Sequence, residues 1–322
     1  MPSVCALILT YNRVTLLAAC LAAIEAQSRR CDRVIVVDNG SSDGTADFLR
    51  SHAPRVEVVS IAQNCGAAGG FNRALAAGHA TGADLLWLMD DDVIPEPSAL
   101  AELIAARDVL EARGVHPPFL ASVAHSPDGS MTNVPDLDGR RRVRGYPQWP
   151  ELLERGLVPI RRGTFVSALF PRETVARYGL PLAEMYMWGE DTEYTLRITR
   201  VASGYLVGQS HVVHLRAQPG SLDIRTETDP DRVALHRVHV RNLVYTARHH
   251  FDRKRKVHTV LRLARLVVNL AARRQFGRAR IIALGLIQGL VFRPNAAPLS
   301  HSDPDPSHEP IAPDGLVIEG GL

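Results

Sequence analysis

The sequence predicts an α/β protein in which a mostly parallel sheet is flanked by helices and followed by a C-terminal helical extension. Short apolar runs alternate with helical segments through the first ninety residues, the pattern of right-handed βαβ units. Polar residues cluster directly after each apolar run, at the strand ends where such sheets bind ligands. The composition, with 46% hydrophobic residues and a net charge of +3, is ordinary for a folded protein.

Hydrophobic periodicity places the individual elements along the chain. Strands are expected at Val4–Thr10, Arg33–Asp38, Val56–Ile61 and Leu85–Asp90, and helices at Val14–Gln27, Thr45–Ser51, Gly69–Ala80 and Ser98–Arg113. Residues 114–160 are rich in Pro, Gly and Arg, and we expect a long, partly irregular excursion there. Later elements are expected at Gly163–Phe170, Glu173–Tyr178, Asp191–Ser203 and Tyr205–Leu215, with helix from about His236 onward.

Three adjacent carboxylates, Asp90, Asp91 and Asp92, follow the fourth predicted strand. Carboxylates at a buried strand end repel one another unless a positive charge lies between them. Alternate residues of an extended segment point the same way, so Asp90 and Asp92 can converge on one cation while Asp91 points away. Two carboxylates and diphosphate oxygens are a common ligand set for Mg²⁺ or Mn²⁺. A solvated acidic turn is the alternative, and the position after a buried strand favours a metal.

Two loops at neighbouring strand ends are candidates for ligand contacts. The segment 38–45 is rich in turn formers and is expected to connect a strand to a helix, with Asp43 or Thr45 as the cap. Asp38 is also a candidate for accepting hydrogen bonds from a nucleotide base. The small-residue loop 64–72 opens a helix whose free N–H groups can face a phosphate or sugar, although it fits neither the dinucleotide nor the P-loop pattern.

Two further motifs come from the second half of the chain. Glu190 and Asp191 follow Trp188-Gly189 and precede a helix, so Asp191 is either a helix N-cap or a general base for an acceptor hydroxyl. His214 ends an apolar strand and is either structural or a third metal ligand.

Together these motifs resemble the family 2 inverting glycosyltransferases with the GT-A fold. The resemblance covers about residues 3–245, and the motifs occur in family order: 9–13, 36–45, Asn64 with its glycine loop, 90–92, 188–191 and His214. The loop from Asn64 to Phe71 looks most like that of bacterial galactofuranosyltransferases and their rhamnosyltransferase relatives. Ala67 stands where that subgroup has the second glycine of a pair, which departs from its pattern.

The resemblance implies a role for each motif. The residues implied to bind the donor nucleotide and diphosphate are Thr10, Arg13, Asp38, Asn64 and Asp90. The implied ligands of a Mn²⁺ or Mg²⁺ ion are Asp90, Asp92 and His214. Asp191 is implied as the base, with Trp188 and Glu190 lining the acceptor site. The implied donor is a UDP- or dTDP-sugar, and the implied acceptor is a hydroxyl of a polyprenyl-linked glycolipid or a polysaccharide of the cell envelope.

We expect three regions in the chain. Residues 1–235 form the catalytic domain, with a nucleotide-sugar-binding half at 1–113 and an acceptor half at 114–235. Residues 236–293 form a basic amphipathic helical extension. Residues 294–322 are proline-rich with no Lys or Arg, and we expect them to be disordered.

The extension concentrates positive charge. Residues 248–293 contain twelve Lys and Arg but a single acid, Asp252. One hypothesis is a helix lying on an anionic membrane surface, and the other is a helix packed on the catalytic domain with a solvated basic face. A nucleic-acid partner is disfavoured because aromatic interleaving and any known module are lacking.

The spacing of the four cysteines is not that of a metal site, and it favours a reducing, cytoplasmic location. Within the cytoplasm, peripheral attachment to the inner face of the cell membrane is the alternative to a free protein. No signal peptide or transmembrane helix is expected. Two rival functions stay open. A sugar nucleotidyltransferase would need an early glycine-rich phosphate signature, which the sequence lacks. A non-catalytic saccharide- or lipid-binding relative would be expected to have lost the metal or base carboxylates, which are present.

Overall fold

The computed structural model describes residues 1–52, 55–140, 145–147, 149–216 and 222–295. The strands within these residues belong to one sheet. They are β1 (Val4–Thr10), β2 (Arg33–Asp38), β3 (Glu57–Ser60), β4 (Leu85–Asp90), β5 (Val93–Pro95), β6 (Leu120–His125), β7 (Met131–Thr132), β8 (Asp136–Leu137), β9 (Leu157–Arg162), β10 (Ala168–Pro171) and β11 (Gly204–His214). Of the tail expected to be disordered, residues 296–322 lie outside the described residues.

Helices flank the sheet and then continue into a C-terminal helical region. They are α1 (Val14–Glu25), α2 (Thr45–His52), α3 (Gly66–Ala80), α4 (Ala99–Glu111), α5 (Arg172–Tyr178), α6 (Glu190–Ile198), α7 (Pro230–His250), α8 (Arg253–Ala272) and α9 (Phe276–Val291). Short 3₁₀ turns occur at Leu153–Arg155 and Ala183–Met185. The α/β fold with C-terminal helices that the sequence predicts is confirmed.

The strand order brings the polar strand ends to one edge. The sheet runs β3-β2-β1-β4-β10-β6-β11-β9-β8, with β5 added to β11 and β7 to β6. The first four strands are parallel, and β10 is antiparallel to both of its neighbours. Thr10 of β1 is in register with Asp38 of β2, and Leu9 with Asp90 of β4. Parallel pairing therefore places the ends of these three strands side by side.

The sheet has a hydrophobic core on each face, and β1 contributes to both. Val4, Ala6 and Ile8 face a core with α1 and α4, while Leu7 and Leu9 face another with α3. All seven residues of β1 are buried, which explains why the strand reads as a continuous apolar run. Each fully buried Leu or Ile adds about 1.5–3 kcal/mol of transfer free energy.

Helix α3 approaches β1 closely because its inner face carries glycines. A Cβ atom on Gly70 would lie 2.3 Å from Leu9 Cδ1, and one on Gly78 would lie 2.7 Å from Leu7 Cδ1. Since real side-chain carbons do not approach so closely, larger residues would push the helix away from the sheet. The small residues of this segment therefore set the spacing beside the functional edge.

The expectation of an irregular excursion at residues 114–160 is wrong in part. It contains β6, which lies between β10 and β11 in the interior of the sheet, and most of the residues of β6 are buried. It also contains the start of β9. The apolar run of β6 is short and follows two prolines, so turn-forming composition concealed a central strand.

The C-terminal helices pack on one another around a third core. Helix α7 begins at Pro230, ahead of the expected His236, and the Asp229 side chain caps it by accepting from the N–H groups of Asp231 and Arg232. Gly285 allows α9 to approach α7, because a Cβ there would lie 2.6 Å from the Arg237 carbonyl oxygen. Within the described residues, every helix is either too short or too polar to cross a bilayer.

Candidate active site

The acidic triplet at the end of β4 is folded into a turn. Asp91 is 2% exposed, and its carboxylate accepts from Thr10 Oγ1 at 2.7 Å and Arg13 Nη1 at 3.3 Å. Arg13 Nη1 also donates to Asp92 Oδ2 at 3.0 Å. The expectation that Asp91 points away from the site is therefore wrong, because Asp91 and Asp92 lie in a turn, where side-chain alternation does not apply.

The three carboxyl groups of the triplet have pKa values shifted in different directions. Burial raises the pKa of Asp91 to about 6, against the opposing effects of Thr10 and Arg13. Burial, then the charges of Asp92 and Asp91, raises the pKa of Asp90 well above its usual value. Burial also acts on Asp92, but contacts with His214 and Arg13 hold its pKa below the usual value. Asp92 is therefore the member of the triplet whose charged form is best stabilised.

His214 faces Asp92 from the end of β11. Its Nε2 lies 3.1 Å from Asp92 Oδ1, and its Nδ1 lies 2.8 Å from Asn133 Oδ1. Because an amide oxygen only accepts, Nδ1 carries a proton. Nε2 then faces the carboxylate either as the N–H of an imidazolium or as a free lone pair. In both cases a positive charge, a proton or a metal ion, is needed between these two atoms.

Asp92 and His214 provide part of a ligand set for a divalent cation. An imidazole held by a hydrogen bond on its other nitrogen, facing a carboxylate, is a common arrangement at metal centres. However, no group of three or more His, Cys, Asp or Glu side chains forms a ready ligand set within the described residues. Asp92 and His214 are brought together, while Asp90 does not complete a three-residue set with them.

Side-chain amides connect the C-terminal end of β2 to the N-terminal end of α3, and the sequence did not predict this network. Asn39, 3% exposed, donates through Nδ2 to Asn64 Oδ1 at 3.1 Å and accepts from Cys65 N at 3.1 Å. Asn64 Oδ1 also accepts from Gly66 N at 2.8 Å. Asp38 Oδ1 accepts from Ser41 N at 2.9 Å, which shapes the loop after β2. Asn64 therefore has a structural role whatever else it binds.

The glycine loop contacts the loop that precedes α6. Gly66 has φ +74°, and a Cβ there would lie 2.1 Å from the Tyr186 carbonyl oxygen. The same oxygen accepts from Ala68 N at 3.0 Å. The N–H groups of Gly66 and Ala68, expected to face a phosphate or sugar, thus have partners within the protein. Their contacts bring the two halves of the site together.

The loop before Asp191, residues 185–189, has an unusual backbone. Tyr186 and Trp188 both have φ +63°, a conformation that costs non-glycine residues about 1–3 kcal/mol. Asn242 of α7 holds the loop, since its Nδ2 lies 2.8 Å from the carbonyl oxygen of Met185 and 3.1 Å from those of Met187 and Trp188. The C-terminal helical region thus fixes the backbone that presents Asp191.

Glu190 and Asp191 are adjacent acids with different surroundings. Burial, then the charge of Asp191, raises the pKa of Glu190 to about 8, and its Oε2 has no hydrogen-bond partner within the described residues. Burial also raises the pKa of Asp191, but the Thr192 N–H and the charge of Arg162 oppose the shift. Glu190 is therefore protonated at neutral pH, and Asp191 is the member of the pair suited to carry charge.

A buried ion cluster anchors α6 behind these acids. Glu193 contacts Arg197 Nη2 at 2.9 Å and His250 Nε2 at 3.2 Å. Arg197 also donates to the carbonyl oxygens of Tyr178 and Leu180. Burial would raise the pKa of Glu193, but Arg197 and His250 lower it to about 2. The cluster joins α6 to α7 and to the segment after α5.

Among the predicted site residues, the structure brings Thr10, Arg13 and Asp92 with His214 into one contact network. Trp188 lies against α7, with its ring centroid 5.4 Å from that of His236. Sequence reasoning missed Asn39, Asn133 and Asn242. Each is a single amide whose contacts at the site are with residues 25 or more positions away, so no local pattern marks it.

Comparisons with known proteins find similarity to glycosyltransferases. The family description "Glycosyl transferase family 2" matches residues 5–145. The galactofuranosyltransferase GlfT1 of Mycolicibacterium smegmatis is 29% identical over 201 residues, covering 61% of this chain and 65% of that protein. Its counterpart from Mycobacterium tuberculosis is 30% identical, covering 62% and 65%. The chain thus spans slightly less than two thirds of the length of these relatives.

Solved structures share the fold at low sequence identity. GalNAc-T7, crystallised with UDP, GalNAc and Mn²⁺, has a TM-score of 0.55 at 14% identity, covering 79% of this chain and 49% of that one. Staphylococcus aureus TarS residues 1–349, in complex with UDP, has a TM-score of 0.52 at 13% identity, covering 80% and 68%.

The Glu193 cluster makes stability depend on pH. The pKa of Glu193 is lower in the folded state than in the unfolded chain. Its carboxylate therefore contributes about 3 kcal/mol to the free energy of unfolding above pH 4.5, and this contribution is lost as pH falls toward 2. His250 acts in the same direction, because burial lowers its pKa. We expect Glu193→Gln to lower the free energy of unfolding by about 3 kcal/mol at pH 7 and to flatten its pH dependence, measured by urea unfolding from pH 7 to 3.

The matched control for this experiment is Glu111→Gln, which removes the i,i+4 pair with Arg107 on α4. That change should cost less than about 1 kcal/mol and leave the slope against pH as in the unmodified protein. Parallel pH profiles for Glu193→Gln and the unmodified protein would contradict the assigned role of the cluster.

Proposed function

We propose that the chain is a family 2 glycosyltransferase that transfers a sugar from a nucleoside diphosphate to an acceptor hydroxyl with inversion, which its similarity to that family supports. The observation that carries this proposal is the meeting of the two halves of the site. The Tyr186 carbonyl oxygen, on the loop before α6, accepts a hydrogen bond from Ala68 N of α3 at 3.0 Å. The loop that presents Asp191 is thus in contact with the glycine loop of the donor half, and this contact supports a single site for donor and acceptor.

The proposed donor is a UDP-sugar, with a dTDP-sugar as the second candidate. TarS and GalNAc-T7, which share the fold, were crystallised with UDP. Galactofuranose is the first sugar to test, because the sequence relatives are named galactofuranosyltransferases. We assign Asp38 and Asn64 to the nucleotide end, and Thr10, Arg13 and Asp90 to the diphosphate end. The proposed acceptor is a hydroxyl of a polyprenyl-linked glycolipid or polysaccharide of the cell envelope.

Inversion in one step requires a base on the acceptor side and neutralisation of the leaving group. Asp191 accepts the proton of the acceptor hydroxyl as that oxygen attacks the sugar carbon and the bond to the diphosphate breaks. Glu190, protonated at neutral pH, donates a hydrogen bond to the acceptor, and the Trp188 ring provides an apolar face for it. The strained backbone before Asp191 fixes the direction from which the base approaches.

A divalent cation, Mn²⁺ or Mg²⁺, would be held by Asp92 and His214, with Asp90 as a further proposed ligand. The facing Asp92 Oδ1 and His214 Nε2 atoms, 3.1 Å apart, support this assignment. When bound, the ion supplies positive charge for the departing diphosphate. Asn133 keeps Nε2 of His214 directed at the ion, and Arg13 offsets the remaining charge of the triplet.

The assignment of the base predicts different effects for the two adjacent acids. Asp191→Asn should lower turnover about 10²–10⁴-fold while donor binding is retained. Glu190→Gln should have a smaller effect, because Gln keeps the donor of the protonated acid. The control is Glu173→Gln on the exposed surface of α5. Turnover and UDP-sugar binding should be measured in parallel; an Asp191→Asn protein with normal turnover would refute the assignment.

The cation site predicts a graded loss of metal binding. Asp92→Asn should abolish Mn²⁺ binding, measured from the electron paramagnetic resonance signal of free Mn²⁺. Asn133→Ala should weaken it about 10–100-fold, since it removes the group that orients His214. Asp128→Asn, on an exposed turn next to β7, serves as the matched control. Mn²⁺ affinity that is equal in all three variants would exclude this site.

We also propose that α8 and α9 rest on an anionic membrane surface. Of the apolar residues on one side of α8, Val257, Leu261 and Val268 are 48–66% exposed, and on α9 Val291 is 72% exposed. The buried face of α8 is a different one, centred on Leu263 and Leu270. An unpaired apolar face beside Lys and Arg side chains is typical of interfacial helices.

Flotation with vesicles tests the membrane proposal. The protein should float with vesicles containing phosphatidylglycerol and be released in part at high salt, because screening weakens attraction of the basic side chains. Leu261→Asp with Val268→Asp should abolish flotation. Val201→Asp, at a residue that is 59% exposed outside the C-terminal helices, should float like the unmodified protein. Equal flotation of all three proteins would contradict the proposal.

A further inference from the structure

A groove in the C-terminal helical region is not used by the proposed transfer chemistry. It has a volume of about 420 Å³ and lies between α7, α8 and the segment around Asp223, with Ile282 of α9 at its base. This volume is within the range of small-molecule sites. On one wall are His236 and His239 of α7, and on the other are Arg262 and Arg265 of α8. The helical spacing of Arg262 and Arg265 places both guanidinium groups on the same side.

The positive charge of this groove is not balanced by the protein. The two acids nearest to it are already paired, Asp223 with Arg225 and Glu227 with Arg232. Among the residues that the structure describes, no carboxylate lies within ion-pair distance of Arg262 or Arg265. The groove therefore holds two guanidinium groups with donors available to a ligand.

Buried polar atoms on the opposite wall also lack partners. His236 is 3% exposed, and its Nε2 has no hydrogen-bond partner within the described part of the chain. The same holds for Nδ1 of His239. Burying an imidazole nitrogen without a partner is unfavourable, so a ligand that bonds to it recovers free energy. Two unpaired guanidinium groups and one unpartnered nitrogen on each histidine together point to an anion with several oxygens as the missing component.

The groove adjoins the acceptor side of the active site. The Trp188 ring centroid lies 5.4 Å from that of His236 and 6.1 Å from that of His239. Trp188 is three positions from Asp191, and its carbonyl oxygen is bonded by Asn242 of the same helix, α7. A molecule whose hydroxyl reached Asp191 along Trp188 would therefore have its next portion at the groove.

We propose that this groove binds a phosphate or diphosphate group of the acceptor. The inference rests on the proposed transfer to an acceptor hydroxyl and adds the chemical class of the acceptor's second anchoring point. Arg262 and Arg265 contact the phosphate oxygens, and the histidines of α7 complete the contacts from the inner wall. The acceptor is then held at two places, by its anion in the groove and by its hydroxyl at Asp191.

Calorimetric titration of the full chain with inorganic pyrophosphate, in buffer containing EDTA, tests the site without donor, cation or turnover. We expect saturable binding at one site. Arg262→Gln with Arg265→Gln should weaken it about tenfold or more, given the strength of charge-assisted hydrogen bonds. Arg253→Gln with Arg280→Gln removes the same charge from exposed positions outside the groove and should leave the affinity unchanged. Equal affinities in both double variants, or no saturable binding, would overturn the proposal.

Competition distinguishes the groove from other anion sites. Saturating UDP should not displace pyrophosphate; full displacement would place the bound anion at the donor site and overturn the proposal. Vesicles of phosphatidylglycerol should not displace it either. Displacement by vesicles would assign the groove to membrane headgroups and refute the acceptor assignment.

The link to the acceptor loop has its own readout. Pyrophosphate should change tryptophan fluorescence in the unmodified protein and leave that of Trp188→Phe unchanged, because the ring of Trp188 touches both histidines. If pyrophosphate does not change the fluorescence of the unmodified protein, the claim that the groove adjoins the acceptor loop is refuted. Since neither measurement uses sugar transfer, failure of the proposed transfer activity would not alter either result.

Discussion

The carboxylates at the end of β4 impose the constraint around which the functional edge is arranged. Asp91 and Asp92 are nearly buried and adjacent, so their charges must be compensated at short range. Thr10 and Arg13 from the end of β1 and His214 from the end of β11 provide this compensation. Strands that are distant in sequence thus meet because one acidic turn requires partners. The charge of Arg13 opposes that of Asp90 only in part, so the pKa of Asp90 stays raised.

The second half of the site depends on a different type of support. The backbone before Asp191 adopts conformations that Tyr186 and Trp188 would not take alone, and Asn242 holds them. Asp191, the proposed base, is therefore positioned by a helix that follows the sheet domain in sequence. This arrangement explains why α7 packs against α6 through the Glu193 cluster, and it gives the C-terminal helices a role in the site besides any contact with a membrane.

Much of the sheet could be predicted from the sequence because each of its first strands is short, apolar and bounded by turn formers. The bounds of β1, β2 and β4 agree with the expected ones. The strand β6 was missed because its neighbours in the chain are Pro- and Gly-rich, while its neighbours in the sheet are far away in sequence.

Residue type was enough to nominate Asp92, Asp191 and His214 as candidates, and the structure brings two of them, Asp92 and His214, within 3.1 Å of each other. The candidate site was not predictable where function depends on geometry. The assumption of an extended triplet failed at Asp91, because the turn that begins there is set by pairing of β4 with β1 and β5 with β11. Likewise, nothing in the sequence indicated that the polar side of α8 does more than face solvent or a membrane. In the structure, part of this side lines a groove formed with α7.

The contact between Asn242 and the loop also bears on how such proteins can diverge or be recombined. An amide nitrogen has two hydrogens, and here it lies within bonding distance of three carbonyl oxygens, so a small shift of α7 alters all three contacts together. Transplanting the loop 185–189 into a homologous scaffold would therefore carry over its sequence without its backbone. The unit that would have to be exchanged together extends from this loop through α7 and the α9 helix packed against it.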